Sequence, residues 1–320
     1  MTDPVASAPQ PAGTVLPPGL VAEFMQTYLD DKRRERRRRV IWRVVWVVLL
    51  IVLAVGLFQR VEGEAAVSSP HTALIEINGA IAEDEPANAD ALTSALRDAF
   101  EDSGSRAVVL RISSPGGSPV QAGIVNAEIR RLKALHKKPV YAVCEEMCAS
   151  AAYYIAVGAD QIFVDKASIV GSIGVLMNGF GFTGAMEKLG IERRLLTAGD
   201  NKGLLDPFSP LEERHRAYAQ ALLDQIHQQF ITVVREGRGK RLKETPETFS
   251  GLFWSGQQAV ANGLADRYGS LDEVARDVVK AEDIIDYTPK ENVAERLAKR
   301  FGAAVGAGAV KALGTGAAIR

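Results

Sequence analysis

Cysteine is scarce in this 320-residue chain, with Cys144 and Cys148 the only two, and the four histidines (His71, His136, His215 and His227) form no ligand pattern with them. Neither number nor spacing supports a metal site. Four residues apart on a helix, the two cysteines would lie near the upper limit of disulfide Cα separation, so two buried thiols are expected. An excess of one charge is also missing, since 38 Lys and Arg face 39 Asp and Glu for a net charge of −1. The one basic concentration, "KRRERRRR" from Lys32 to Arg39, has no aromatics interleaved, which argues against a nucleic-acid partner. No internal repeat is visible, which excludes solenoids and propellers. Long apolar runs are absent too, with one exception.

That exception, "VIWRVVWVVLLIVLAVGLF" from Val40 to Phe58, follows the basic run directly. About 19 residues at 1.5 Å each cross a hydrocarbon core of ~30 Å, and Arg43 can snorkel to the interface. Residues 40–58 are therefore expected to be an uncleaved transmembrane helix in contact with the lipid membrane. The arginines on its N-terminal side place residues 1–39, Pro-rich and low in bulky residues at the start, in the cytoplasm. A linker over 59–71 would then lead to a domain on the other side of the membrane.

Within residues 72–285 apolar periodicity switches repeatedly between strand and helix. "TALIEING" reads as a strand, "ADALTSALRDAFED" as a helix and "RAVVLRI" as a strand; a helix then opens at Pro119 and "KPVYAVC" is again a strand. "CASAAYYIAVGA" reads as a helix, "DQIFVD" and "IERRLLTAG" as strands, and a long helix runs from about Pro210 to Gly237. "SLDE" at Ser270–Glu273 is a capping box for a short last helix. Strands alternating with helices call for a parallel sheet carrying helices on its faces. Residues 286–320, rich in glycine and alanine toward their end, are expected to be a loose tail.

Three stretches could carry chemistry. In "RISSPGGSPV" a strand runs into Gly116 and Gly117, whose freedom of backbone lets amides approach an anionic oxygen, though an ordinary strand-to-helix turn reads the same way. In "EEMCASAAYYIAVGAD" Ser150 falls in the first turn of a helix, where it is either a nucleophile or merely a cap or small packing residue. A serine nucleophile needs a base, and each of the four histidines reads as a surface residue. The remaining candidate is Lys202 in "LLTAGDNKGLLDPFSP", beside an apolar stretch that could desolvate it and two aspartates, Asp200 and Asp206, that would oppose its deprotonation.

Taken in order and spacing, "SSPGGS", "CASAAYYIAVGAD", "SIVGSIGV" and "GDNKGLLDPFSP" resemble the signal peptide peptidase A family in its short bacterial form, as does "GQQAVANGLAD" from Gly256 to Asp266. The resemblance spans about Ala73 to Val279. It implies an α/β, crotonase-like (Clp protease-like) fold of repeated ββα units behind a single N-terminal transmembrane helix. It also implies a serine endopeptidase of the bacterial inner membrane with its catalytic domain in the periplasm. By resemblance Ser150 is the nucleophile, Lys202 the general base and Ser172 the residue that positions the lysine, while Gly116, Gly117 and Ala151 supply oxyanion amides. Where many members read Ser-Gly-Gly, this chain reads Ser150-Ala151-Ala152. The implied substrates are cleaved signal peptides and other apolar peptides, with no cofactor and no metal. The implied assembly is a homo-oligomer whose active sites are shared between subunits. A crotonase-like acyl-CoA enzyme and a non-catalytic membrane scaffold are the competing expectations.

Overall fold

The computed structural model describes residues 69–289, together with 32, 37–39, 41–43, 45–50 and 52–53. The chain divides into two units, Met1–Val67 and Ser68–Arg320. In the first, the described residues from 37 to 53 are helical and exposed; 40, 44, 51 and 54–58 of the expected span lie outside the described residues. Among the described residues no helix is long and apolar enough to cross a membrane. The expected tail beyond 289 and the N-terminal residues before Lys32, expected to be cytoplasmic, also lie outside them.

The second unit is built on a mostly parallel sheet. Strands β1 (His71–Ile81), β2 (Ser105–Gly117) and β3 (Val140–Ala149) form its centre, connected by helices α1 (Ala89–Glu101) and α2 (Pro119–His136). Their apolar runs are continuous because both faces are covered. Alternate residues feed two cores: Ile75, Leu110 and Ile129 belong to the larger, on one face, and Leu74, Val109, Val143 and Phe163 to the smaller, on the other. Helix α1 buries Leu92, Ala95, Leu96, Ala99 and Phe100 at helical spacing, and its Asn88 cap accepts from the Ala91 amide at 2.9 Å. Helix α2 opens on Pro119, as expected, with Ser118 as its cap.

Beyond β3 follow α3 (Ala151–Ala156), β4 (Gln161–Val164), β5 (Ile169–Gly171), α4 (Thr183–Leu189) and α5 (Glu213–Arg238). The last elements are β6 (Phe253–Ser255), α6 (Gly256–Ala261), β7 (Arg267–Tyr268), α7 (Leu271–Glu273), which continues as a π-helical turn over Val274–Val279, and β8 (Ile284–Asp286). The strand order is β6-β5-β3-β2-β1-β8, with β4 pairing β3 and β7 pairing β4. Among the described residues only the β5–β6 pair is antiparallel. Strand β3 is forked, since its first half, Tyr141–Cys144, pairs with β4 and its second half, Met147–Ala149, with β5.

Several local expectations need correction. Cys148 lies on β3 rather than at the start of a helix, because the strand resumes after a bulge and continues to Ala149. The bulge sets Cys144 opposite Ile112 and Cys148 opposite Ser114, so five residues span three, and both thiols are buried and free. Burial, reinforced by the neighbouring Cys144 thiol, pushes the Cys148 thiol well above its ordinary range. "IERRLLTAG" forms no strand, as residues 191–199 find no sheet partner and are all exposed. The histidines are not uniformly superficial either. His71 is fully buried against Ser69, Tyr287 and Asp102, His215 is buried, and His227 is half-buried.

The "GQQAVANGLAD" stretch is a structural clasp. Ser255 and Gln258 form the capping box of α6. At the far end of the stretch, the Asp266 carboxylate takes both arms of Arg238 at 2.8 Å and also accepts from the Ile162 amide and from Arg241. Arg238 is 1% exposed and donates its Nε to the Gly263 carbonyl. Burial by itself would raise the Asp266 carboxyl, but the Arg238 bonds outweigh it and hold the group below its usual range. The end of α5 is thereby fastened to the sheet.

Candidate active site

Strand β3 stops at Ala149, and Ser150 makes the turn into α3 with φ 54° and ψ −122°. A non-glycine residue there is held in a sparsely populated conformation that costs of order 1–3 kcal/mol. A serine on such a strand-to-helix turn stands clear of the sheet, the arrangement that exposes nucleophiles in α/β hydrolases. Two bonds fix the turn: the Ser150 amide donates to Gly171 O at 2.8 Å, and Ser150 O accepts from the Tyr154 amide at 3.0 Å. Although Ser150 occupies the cap position of α3, its hydroxyl makes no cap hydrogen bond. The capping reading therefore does not account for this serine.

At the end of β2, Gly116 packs against this turn and Gly117 against Ile81 of β1. A Cβ on Gly116 would stand 2.7 Å from Ser150 Cβ and 2.9 Å from the Ala151 amide nitrogen, and one on Gly117 would stand 2.2 Å from Ile81 O. With φ of 102° and 152°, both positions also demand conformations that side chains rarely adopt. Their environments differ. The Gly116 amide is held by Ser114 Oγ at 3.1 Å, whereas Gly117 lines the cavity in front of Ser150.

That cavity, of about 660 Å³, is lined by Ser150, Ala151, Gly117 and Ser172 on the sheet side, and by Leu223, His227 and Phe230 of α5 on the other. Tyr154, Val175, Leu176 and Ile226 extend its apolar walls. Its lining includes no lysine or arginine. Ser172 sits just past β5 with φ 51°, and its amide donates to Leu252 O at 2.8 Å. A second cavity of about 710 Å³ opens at the fork of β3, between Glu145, Lys166 and Tyr268; it contains none of the expected site residues.

The profile of peptidase family S49 matches residues 133–284, a span that includes Ser150, Ser172 and Lys202. A Synechocystis sp. protein named as a protease is 32% identical over 201 residues, 63% of this chain and 70% of its own length. The chain belongs to peptidase family S49. An Enterococcus faecium protein named as a signal peptide peptidase SppA is 28% identical over 233 residues, 70% of this chain and 67% of that protein, in keeping with the resemblance read from the motifs. A Brucella melitensis protein named Na(+)/H(+) antiporter NhaA shares 45% identity over 176 residues, 55% of this chain. The chain spans only about a quarter of the length of that relative, 24%. A solved membrane-bound stomatin-specific protease overlays 70% of this chain and all of its own, at 14% identity and a TM-score of 0.44.

In this S49 chain four of the expected residues, Ser150, Ala151, Gly117 and Ser172, share one cavity, and Gly116 lies directly beneath the serine. Lys202 does not join them. It is exposed, in a turn closed by its own amide on Gly199 O at 3.1 Å, and is not among the residues lining the cavity. Asp206, which the sequence sets near the lysine, is occupied elsewhere: Ser209 Oγ donates to it at 2.6 Å and Arg193 pairs with it, and these bonds hold its carboxyl below the usual range. The α5 wall was missed in the sequence. Leu223, Ile226, His227 and Phe230 recur at helical spacing there, but in a long polar helix that stripe reads as ordinary packing.

Proposed function

We propose that this chain is a serine endopeptidase, anchored in the bacterial inner membrane by residues 40–58, with its crotonase-like domain on the extracytoplasmic side. Ser150 attacks the scissile carbonyl, and the amides of Gly117 and Ala151 hold the oxyanion. The observation that carries this reading is the free Ser150 hydroxyl on a strained turn, facing a cavity next to those amides. Lys202, steered by Ser172, removes the serine proton. Its exposure, and its absence from the cavity lining in a single chain, support a dyad completed between neighbouring copies of a homo-oligomer. The apolar walls suit short apolar peptides such as cleaved signal peptides. The lack of lysine and arginine along the cavity disfavours the acyl-CoA alternative, whose ligand carries several phosphates.

The test uses a fluorophosphonate probe and intact mass. Wild type should be labelled stoichiometrically, with Ser150→Ala and Lys202→Ala unlabelled and each slower on an apolar peptide by roughly 10³-fold or more. Mixing the two variants before assembly should restore part of the activity. A folded, oligomeric wild type that takes no probe would favour the scaffold reading.

A further inference from the structure

His227 lies half-buried on the cavity side of α5, between Leu223 and Phe230 and one turn after Asp224. A polar group so placed needs a partner. Its Nε2 lies 3.0 Å from the carbonyl of Ile173, a residue that is fully buried. A carbonyl oxygen only accepts, so this ring nitrogen carries the proton.

The segment that His227 touches is under strain. Gly171 and Ser172 have consecutive positive φ angles, 102° and 51°, a conformation that persists only where its surroundings over-determine it. Three successive carbonyls are each held by one donor: Gly171 O by the Ser150 amide, Ser172 O by the Gly174 amide at 2.9 Å, and Ile173 O by His227. The first of these donors comes from the turn that ends β3, and the second from within the segment itself. The third comes from α5, across the cavity, and ties the turn to the opposite wall.

We propose that His227 is a positioning residue, whose Nε2–H fixes the Ser172 turn against Ser150 and sets the distance between the two walls of the cavity. The proposal rests on the peptidase reading, in which Ser172 must meet an incoming lysine with its hydroxyl correctly aimed. Both the neutral Nε2–H ring and the imidazolium donate to Ile173 O, so the tie does not require His227 to change charge. Tyr154 and Asp224 are the other titratable side chains along this cavity. Replacement of His227 by an apolar residue leaves a buried carbonyl unpaired and the turn free to relax, and a displacement of about 1 Å at such a site can cost on the order of a hundredfold in rate.

The experiment compares the full-length wild type with His227→Gln, whose side-chain amide still donates but takes no proton, and with His227→Leu. For each, kcat and KM on an apolar peptide, the pH–rate profile and the thermal midpoint are measured. The expected result is a loss in kcat of roughly ten- to a hundredfold for His227→Leu with KM changed less than about threefold. His227→Gln should recover to within about threefold of wild type with the same pH profile. A His227→Leu enzyme as fast as wild type would overturn the proposal. So would a His227→Gln enzyme as slow as the leucine variant, which would make the imidazole a proton carrier for Ser150. Nitrogen NMR of the histidine rings provides a readout that needs no turnover: an Nε2–H tautomer for His227 is expected, and an Nδ1–H tautomer would overturn the tie. If wild type takes no serine probe the peptidase reading falls, and the tautomer still decides the role of His227.

Discussion

The sheet body and the segment that follows it use similar apolar residues to different ends. From Cys148 to Ile173 the chain places Ala151, Ala152, Tyr153, Ile155, Ile162, Val164 and Val170 in the core, each less than 5% exposed. From residue 174 to 214, among the described residues, none is buried. Leu176 and Leu196 are 82% and 97% exposed, and Phe180, Leu189, Ile191 and Leu211 also face outward. The segment does have internal order: Phe182 stacks on Phe208 with centroids 5.4 Å apart, and Arg193 lies over Phe208 and pairs with Asp206. It has contacts but no core. The body satisfies its hydrophobic pattern within one chain, whereas this arm, which carries Lys202, leaves its large apolar residues exposed.

The comparison breaks most sharply at the clasp that closes the body. Arg238→Met removes a buried guanidinium and leaves Asp266 with its carboxylate under-paired, so urea unfolding should show a loss of about 3–5 kcal/mol. A change below about 1 kcal/mol would mean that the body does not depend on this pair.

The same clasp has a smaller effect that depends on pH. The Asp266 carboxyl is depressed in the folded state, so the unfolded chain binds the proton more readily. Its contribution is therefore full above the unfolded value, near 3.9, and is lost as pH falls through the lower folded value. Asp266→Asn should flatten the acid limb of the stability curve below about pH 4. An unchanged limb in the variant would assign acid sensitivity to other carboxylates.

The arm should yield the smallest change in chain stability. Leu196→Glu alters a residue that touches almost nothing in the single chain, and the unfolding free energy should stay within about 0.5 kcal/mol of wild type. If copies assemble as proposed, sedimentation should nevertheless show a shift toward smaller species. Full assembly in the variant would remove Leu196 from the proposed contact between copies.

Much of the body was legible in sequence because its signals are local. Alternation of strands and helices, Pro119 at the first turn of α2 and the Ser270 capping box are all where short-range rules place them. The errors fall where a distant partner decides. "IERRLLTAG" has the composition of a strand but no neighbouring edge to pair with, and Cys148 has helical neighbours but pairs with Ser114. The resemblance named Ser150, Gly117 and Ser172, and the structure gathers these three at one cavity. His227 was not legible in sequence, since the single bond that gives it a role joins residues 54 positions apart.

The sequence by itself determined the alternation of β and α elements, the caps that begin the helices and the family to which the chain belongs, because these depend on residues within a few positions of one another or on motifs in fixed order. Only the tertiary structure decided that the Ser150 turn, the Gly117 loop and the Ser172 turn face one cavity while Lys202 stands apart from it. It also decided that His227 and Arg238 are anchored rather than superficial. Strand register, the β3 bulge and the docking of α5 set those distances, and each arises from long-range packing and hydrogen bonds that no local stretch of sequence contains.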